Sequence, residues 1–387
     1  MKLFVRGFRR ENREAARMRG SARDLDGTPR IESLLVVRLS AMGDIIHTLP
    51  AVAALRQAFP HVSLGWLIEE RWAELLCTLR YPRAGRRSPE RPLVDRIHTV
   101  KTTEWRRSIF SLNTWQQMAV GLSELRGVEY DAVIDFQGAV RSALLARWSG
   151  APIVFGDAQP RENAASMFYS RQVETSGRHV VEQALDLAHA VTASLSMVEP
   201  AAGHQPERKV EFPVDPDAEK KIDRMMADKA KFAILNPGAG WGAKQWPVDR
   251  YGTVAKALAQ DGICSVVNYG PGEEGLAEAV ETASGGSARK ISCSIADLIA
   301  LTRRANLLIG GDTGPMHLAA ALKVPVVAIF GPTNPARNGP FGTRSIVLRS
   351  ASSMTDHSRL SEPEQGMLEI TPEEVVGAAR KLLRDSA

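Results

Sequence analysis

The 387-residue chain is 44% hydrophobic and 24% charged, which fits a soluble protein of two domains, and no apolar run reaches the roughly 18 residues of a membrane-spanning helix. Its three cysteines, Cys77, Cys264 and Cys293, lie far apart, which excludes a disulfide framework and a zinc knuckle and favours the cytoplasm. The formal net charge of +5 belongs to residues 1–30, which carry nine basic and four acidic side chains, so no basic domain for nucleic acid is indicated.

Residues 1–30 form a basic N-terminal extension that begins MKLFVRGFRRENREAARMRG and lacks the apolar core of a signal peptide. A basic amphipathic segment of this kind can touch an anionic membrane surface. The alternative is a disordered extension or a misassigned start codon, and composition alone favours that alternative.

Strand-like and helix-like segments alternate through a first block, residues 31–200. Helices are predicted at 45–59, with apolar residues on one face, and at 142–148. The predicted strands are Leu34–Val37, Ser63–Ile68, Ile97–Val100, Ala132–Asp135 and Ile153–Phe155. Such alternation predicts a doubly wound parallel sheet with helices on both faces.

A second block of the same kind spans residues 218–370. Its strand-like runs are FAILNPG, CSVVNYG, NLLIGGD and VPVVAIFG. The stretch before it, EPAAGHQPERKVEFPVDPD, predicts a linker, which we place at 201–217. A C-terminal helix is predicted from Thr371 to Leu383 within 371–387, with Pro372 in its first turn. We therefore expect two Rossmann-like domains facing a central cleft.

Asp44 is the single acid of RLSAMGDIIHTLP, at a predicted strand-to-helix turn. In open α/β sheets, ligands bind at such turns, at the carboxyl ends of the parallel strands. The alternative is that Asp44 only caps the helix that begins at Ile45.

The strongest local pattern is LLIGGDTGPMHLAAAL, in which a buried strand runs through Gly310 and Gly311 into a helix. Asp312 can cap that helix, and its free N–H groups can bind phosphate. A capped helix with nothing bound is equally compatible with this pattern. His317 lies one turn into the helix, where it could face a ligand, although a lone histidine is more often structural.

Two further glycine-containing turns follow predicted strands. LNPGAGWGAKQWP carries Lys244, whose ammonium group could neutralise a diphosphate, although an isolated lysine is usually an ordinary surface residue. NYGPGEEGLAEA places Glu273 and Glu274 at a helix start, where a carboxylate can bind a ribose hydroxyl or simply complement the helix dipole. GxxxxGK[ST] does not occur, and GxGxxG occurs once, as GPGEEG at 270–275, which is a weak signal on its own. We expect a nucleotide diphosphate other than a redox cofactor or a γ-phosphoryl donor, such as a nucleotide sugar.

Several motifs together resemble glycosyltransferase family 9, the bacterial heptosyltransferases of lipopolysaccharide core assembly, with the greatest likeness to its heptosyltransferase I branch. They are RLSAMGDIIHTLPAVAALRQAFP, IDFQGAVRSALLARWSGAPIVFG, RENAASMFYSRQV followed by HVVEQALDLA, LNPGAGWGAKQWP, and GGDTGPMHLAAALKVPVVAIFGPTNPARNGPFG. They run in order from residue 31 to residue 341, and ITPEEVVGAARKLL near the C-terminus adds to the likeness.

The resemblance implies a GT-B fold in which the N-terminal domain binds the acceptor and the C-terminal domain binds the nucleotide sugar. It implies inverting transfer of heptose from ADP-heptose to a Kdo sugar on lipid A, at the inner face of the cytoplasmic membrane. The protein would be a peripheral monomer that contacts anionic lipid and needs neither cofactor nor metal nor nucleic acid.

The resemblance also assigns residues. Asp44 is the proposed catalytic base, on the wall opposite the groups that stabilise the leaving diphosphate. The donor residues are Asn236, Lys244, Glu273 (or Glu274), Asp312, Thr313, Gly314 and His317, and the acceptor residues are Gly43, Gln137 and Arg141. The alternatives are a different glycosyltransferase, a GT-B sugar epimerase that works without a lipid acceptor, and a non-catalytic nucleotide-sugar-binding protein.

Overall fold

The computed structural model describes residues 31–108, 110–195, 210–227, 231–356, 358 and 360–384. The basic extension at 1–30 and most of the predicted linker lie outside these described residues. The chain forms two units. The first comprises the described parts of Met1–Ser40, Thr48–Gly177 and Val181–Pro213, and the second comprises those of Ala41–His47, Arg178–Val180 and Val214–Ala387. The sequence-based domain boundaries remain a prediction.

The first unit contains a six-stranded parallel sheet in the order β3-β2-β1-β4-β5-β6. Its strands are β1 (Ser33–Val37), β2 (Ser63–Glu69), β3 (Arg96–Val100), β4 (Ala132–Asp135), β5 (Ile153–Asp157) and β6 (Arg171–Val173). The helices of this part of the chain are α1 (Met42–Ala58), α2 (Thr102–Arg107), α3 (Leu112–Gly127), α4 (Val140–Trp148) and α5 (Val180–Leu195), with 3₁₀ turns at Glu70–Leu75 and Asn163–Phe168.

The second unit contains another six-stranded parallel sheet, in the order β12-β11-β10-β7-β8-β9. Its strands are β7 (Phe232–Asn236), β8 (Cys264–Tyr269), β9 (Ala288–Ser292), β10 (Leu307–Gly311), β11 (Val326–Phe330) and β12 (Ser345–Arg349). Its helices are α6 (Pro216–Met226), α7 (Val248–Gln260), α8 (Glu274–Ala283), α9 (Ile295–Arg304), α10 (Gly314–Ala321), α11 (Pro335–Asn338), α12 (Gln365–Glu369) and α13 (Pro372–Arg384), with a 3₁₀ turn at Gly242–Lys244.

The central strands of both sheets are buried, except for Ser33 at the start of β1. All five residues of β7, β10 and β11 are buried. A parallel strand covered by helices on both faces must be apolar on both, and the continuous runs of valine, leucine and isoleucine meet that requirement. The doubly wound fold predicted from the sequence is therefore confirmed. No helix that the structure describes is long and apolar enough to cross a membrane.

Several helix boundaries differ from the sequence prediction, most of all those of α1 and α6. Helix α1 begins at Met42 rather than Ile45, and most of its residues are buried, so it lacks the single apolar face that we expected. Helix α6 begins at Pro216, inside the predicted linker, because the Asp215 carboxylate accepts hydrogen bonds from the N–H groups of Asp217 and Ala218. Helix α13 begins at Pro372, one residue after the predicted start at Thr371, so Pro372 lies in its first turn as predicted.

Candidate functional site

Lys244 and Asp312 form a nearly buried ion pair in the second unit. Lys244 Nζ lies 2.6 Å from Asp312 Oδ2, and the two side chains are 11% and 8% exposed. The ammonium group also lies 4.3 Å from the centroid of the Trp241 ring, within range of a cation–π interaction. The 3₁₀ turn after β7 supplies Lys244 and the end of β10 supplies Asp312, so the pair joins two of the three predicted turns.

The second carboxylate oxygen of Asp312 accepts a hydrogen bond from His317, with Nε2 at 3.1 Å from Oδ1. Burial opposes ionisation of Asp312, but His317 and Lys244 outweigh it and hold the pKa of this carboxyl well below its usual range. From the sequence pattern, Asp312 was expected to cap helix α10. That expectation is wrong, because Thr313 occupies the N-cap position and both oxygens of Asp312 have other partners.

His317 contacts a second histidine, His47, which was not among the predicted site residues. His47 Nε2 lies 3.0 Å from His317 Nδ1, and the side chains are 7% and 6% exposed. A third buried histidine, His179, lies with its ring centroid 5.5 Å from that of His47 and donates from Nε2 to the carbonyl of Gly339 at 3.0 Å. Lys244, Asp312, His317 and His47 thus form one continuous chain of polar contacts.

Two glycines allow the first turn of helix α1 to approach helix α10 closely. A Cβ atom on Gly43 would lie 2.5 Å from the His317 ring, and one on Gly314 would lie 2.6 Å from Met42 Sδ. Both distances are too short for any larger residue without displacement of a neighbour. Because Asp44 follows Gly43, its turn lies beside the turn that carries Thr313 and Gly314.

Asp44 is the third residue of α1, not the residue before the helix. Its carboxylate accepts a hydrogen bond from the N–H of Ala41 at 3.1 Å, and its side chain is half-buried. The expected helix start at Ile45 was therefore wrong by one turn, since Met42 and Gly43 are already helical. This carboxylate thus lies in the first turn of the helix, whose N–H groups have no acceptor within the helix.

Asn236 connects three strand ends within the second unit. Its side-chain amide donates to the Thr313 hydroxyl and to the Gly238 carbonyl, both at 3.3 Å, and its Oδ1 accepts from Asn268 at 2.9 Å. The side chain is buried, with the residue only 4% exposed. Asn236 therefore fixes the position of the Thr313 turn.

Glu273 and Glu274 differ in their surroundings. Glu273 precedes helix α8, accepts from the N–H of Gly270 at 2.9 Å, and would lie 2.4 Å from a Cβ on Gly238. Glu274 is exposed and faces Lys290, with Nζ at 3.4 Å. Of the two, Glu273 is the one that lies among the glycine-containing turns.

Arg141 lies in the first unit, at the start of helix α4. Its guanidinium group approaches the hydroxyl of Ser40 at 3.3 Å and that of Thr102 at 3.4 Å, and the residue is exposed. Gln137 is buried, and its Oε1 accepts from the N–H groups of Leu39 and Ser40 at 3.0 and 3.2 Å. Gln137 thus fixes the loop after β1, whereas the position of Arg141 leaves its N–H groups accessible.

Asp135 supports the turn that carries these two residues. Its carboxylate accepts from Ser142, Tyr169 and the N–H of Gln137, each at 2.9 Å. Burial raises the pKa of Asp135 to about 6, against the opposing effect of these donors. From the sequence, Asp135 was expected only to end the predicted strand Ala132–Asp135.

Comparison with known proteins gives a family. The model of glycosyltransferase family 9 (heptosyltransferase) matches residues 122–367, more than half of the chain. Lipopolysaccharide heptosyltransferase 1 of Pseudomonas aeruginosa is 30% identical over 330 residues, which cover 82% of this chain and 83% of that relative. Lipopolysaccharide heptosyltransferase 1 of Escherichia coli K12 is 28% identical, with 82% of this chain and 93% of that relative covered.

Solved structures agree with this family. Escherichia coli heptosyltransferase WaaC with ADP has a TM-score of 0.70 and 25% sequence identity, with 92% of this chain and 100% of that chain covered. The same enzyme with ADP-2-deoxy-2-fluoro heptose has a TM-score of 0.69 at the same identity. The two parallel six-stranded sheets match the GT-B architecture of these enzymes. The chain is a glycosyltransferase and belongs to glycosyltransferase family 9, the lipopolysaccharide heptosyltransferases.

Proposed function

We propose that this enzyme transfers heptose from ADP-heptose to a Kdo sugar of a lipid A type acceptor, with inversion at the anomeric carbon. One observation carries the proposal: the turn that bears Asp44 packs against the turn that bears Thr313, Gly314 and His317. A base and a diphosphate site must be neighbours in a direct displacement. The ligands of the similar WaaC structures, ADP and ADP-2-deoxy-2-fluoro heptose, support the choice of donor.

In the proposed donor site, the diphosphate lies at the N-terminus of helix α10. The first N–H groups of a helix have no partners within the helix, so those near Thr313 and Gly314 can bind phosphate oxygens. Lys244 adds a positive charge, held in place by Asp312 and by the Trp241 ring. Asn236, Asp312 and His317 act mainly by fixing this turn, and we assign the ribose contact to Glu273 rather than Glu274 because only Glu273 lies beside Gly238.

Asp44 is the proposed base. The acceptor hydroxyl oxygen forms a bond to the anomeric carbon while the bond from that carbon to the diphosphate oxygen breaks, and ADP leaves with the electron pair. The hydroxyl proton passes to the Asp44 carboxylate. Lys244 and the α10 N–H groups stabilise the charge that develops on the leaving diphosphate.

Arg141 is the proposed contact to the acid groups of the acceptor, because its guanidinium group is exposed and carries several donors. Gln137 keeps the Leu39–Ser40 loop in position, and Gly43 keeps the Asp44 turn free of a side chain. We propose the heptosyltransferase I subtype, since the two relatives at 30% and 28% identity carry that name. Heptosyltransferase 3 of Escherichia coli is also similar, at 25% identity.

We further propose that the enzyme acts at the inner face of the cytoplasmic membrane, because its acceptor is lipid-linked. We propose that it acts there as a monomer. The first unit would bind this acceptor, and the basic extension at 1–30 would add attraction to anionic lipid.

The test is a donor and product assay. Wild-type protein incubated with ADP-heptose and Kdo-lipid A should yield a heptosylated lipid by mass spectrometry, and ADP-heptose should raise the melting temperature more than UDP-sugars do. Turnover of ADP-heptose without acceptor would instead favour an epimerase. Stabilisation by ADP-heptose without any turnover would favour a binding protein.

A further inference from the structure

Helices α2 and α3 form a helical hairpin in the first unit that is poorly covered by the rest of that unit. Helix α2 has no buried residue, and only Thr114 and Leu125 are buried among the 16 residues of α3. A helix of that length normally buries a broad apolar stripe. Most of α3 is therefore held by few contacts to the first unit.

A cavity of about 250 Å³ separates the helical hairpin from the sheet. Its lining is mostly apolar and includes Leu67, Trp105, Trp115, Met118, Leu122 and Trp148. Leu112, Trp115 and Leu122 are spaced at three and seven residues, so they lie along one face of α3. On this face, Leu122 packs against the core of the first unit, Trp115 borders the cavity, and Leu112 faces solvent.

Large apolar side chains at the tip of the helical hairpin face solvent. Phe110 is 100% exposed, Leu112 is 82% exposed, and Trp115 and Val120 are each more than half exposed. Single exposed apolar residues are common on protein surfaces, but four within eleven residues form a patch of the kind that marks an interaction site.

Basic side chains lie next to this patch. Arg106 and Arg107 are exposed and come three or four residues before Phe110, and no residue that the structure describes forms an ion pair with them. Lys101, by contrast, pairs with Glu70 and Glu104. The segment from 101 to 127 carries four basic and two acidic side chains, a net charge of +2.

We propose that the helical hairpin docks on a bilayer that contains anionic phospholipid, with Phe110, Leu112 and Trp115 inserted into the interface and Arg106 and Arg107 at the headgroups. Tryptophan and phenylalanine side chains next to basic side chains are suited to this boundary. The net positive charge beside exposed aromatic side chains is complementary to an anionic bilayer surface. The choice of a bilayer as partner rests on the proposed function.

The helical hairpin is also well placed to bring a lipid-linked acceptor to the proposed site. Thr102, the first residue of α2, has its hydroxyl 3.4 Å from the guanidinium group of Arg141. Docking through this segment would therefore hold the bilayer surface next to the proposed acceptor contact.

The test is co-sedimentation of the full chain with phosphatidylcholine vesicles, with or without phosphatidylglycerol. At about 1 M salt, where the Debye length is about 3 Å, charge attraction by residues 1–30 is screened and apolar insertion remains. We expect F110S/L112S to lower the partition coefficient at least tenfold under these conditions, because two exposed apolar side chains lose their burial. At low salt, R106A/R107A should lower binding about tenfold on anionic vesicles only.

Matched controls are L79S, which removes a 71% exposed leucine elsewhere in the first unit, and K381A/R384A, which removes two exposed charges from α13. Both should bind vesicles like wild type. Hydrogen exchange should slow on vesicles within 102–127. The proposal would be overturned if F110S/L112S bound vesicles at high salt as well as wild type does. It would also be overturned if the wild type self-associated without vesicles and F110S/L112S did not.

Heptose transfer to an acceptor fragment without acyl chains separates this proposal from the proposed function. F110S/L112S should transfer to that fragment at the wild-type rate. If the wild type transfers no heptose, the proposed function fails, and the vesicle measurements still decide the docking surface.

Discussion

His47 Nε2 and His317 Nδ1 lie 3.0 Å apart although 270 residues separate them in the chain. Together with the hydrogen bond between His317 and Asp312, this contact determines which ring nitrogen of His317 carries a hydrogen. Asp312 is ionised, so its Oδ1 can only accept, and His317 must carry a hydrogen on Nε2. When His317 is neutral, its Nδ1 is therefore an acceptor, and His47 must donate from Nε2. His47 is thus a positioning residue for His317.

His47→Ala should destabilise the protein by about 1–3 kcal/mol, because it leaves the buried Nδ1 of His317 without its donor. His47→Gln, which keeps an N–H donor, should recover part of this loss. Urea unfolding measures the change, and His61→Ala, at an exposed histidine, is the control. In nitrogen-15 spectra of histidine-labelled protein, wild-type His317 should be protonated at Nε2. Protonation at Nδ1 alone would contradict the account.

Asp312→Asn should cost about 3 kcal/mol at neutral pH, because it leaves the nearly buried Lys244 without its counter-ion. The native pKa of Asp312 lies below the value of about 3.9 for an unfolded aspartate, so its stabilising contribution is present above that pH and is lost as the pH falls further. The difference in unfolding free energy between wild type and variant should thus shrink below about pH 4. Asp261→Asn breaks an exposed pair with Arg380 and should change little.

Asp135 should show the opposite pH dependence. Its pKa is about 6 in the folded protein, above the ordinary value of about 3.9 for an unfolded aspartate, so the native state binds this proton more tightly. Wild-type stability should therefore fall by about 3 kcal/mol as the pH rises from 4 to 6, at 1.36 kcal/mol per unit, and then level off. Asp135→Asn should lack this dependence. A constant difference between the two proteins from pH 4 to 7 would refute the assignment.

Lys244→Met keeps the apolar stem over Trp241 but removes the charge. We expect calorimetry to show ADP binding weakened by about 1.5–3 kcal/mol, the usual contribution of a charge-assisted hydrogen bond. Lys256→Ala, at an exposed lysine of helix α7, should bind ADP like wild type. Equal affinity of Lys244→Met and wild type would remove Lys244 from the donor site.

The sequence predicted all the inner strands of both sheets and one of the four edge strands, β3. The three missed strands, β6, β9 and β12, all lie at sheet edges. Edge strands have one neighbour and one open side, so they need no continuous apolar run, and ARKIS in β9 has two successive charged residues, Arg289 and Lys290. Their pairing partners, not their own composition, make them strands.

The start of helix α1 was also predicted wrongly. Its start was placed one turn late because Met42 and Gly43 look like a turn, although Gly43 is small only to admit the His317 ring. That ring belongs to a helix far away in sequence, so no local pattern could reveal the reason.

The candidate site was also only partly predictable, because local patterns locate strand ends but do not reveal contacts between distant segments. Lys244, Asp312 and His317 follow strand ends, which a pattern can locate, and the structure brings them together. His47 lies in helix α1 and His179 just before helix α5, and neither carries a local signal beyond its place in a motif. The inward side chains of Asn236 and Gln137 depend on contacts with distant loops, so the sequence could not distinguish positioning from ligand contact.

Asp44→Asn tests the central claim most directly. Asparagine keeps the size of the side chain and can still accept from the N–H of Ala41, so the fold and the affinity for ADP-heptose should survive. It cannot take up the acceptor proton, so the initial rate of ADP release at saturating donor and Kdo-lipid A should fall by roughly 10²–10⁴. An Asp44→Asn enzyme that melts like wild type and retains most of this rate would contradict the assignment of Asp44 as the base.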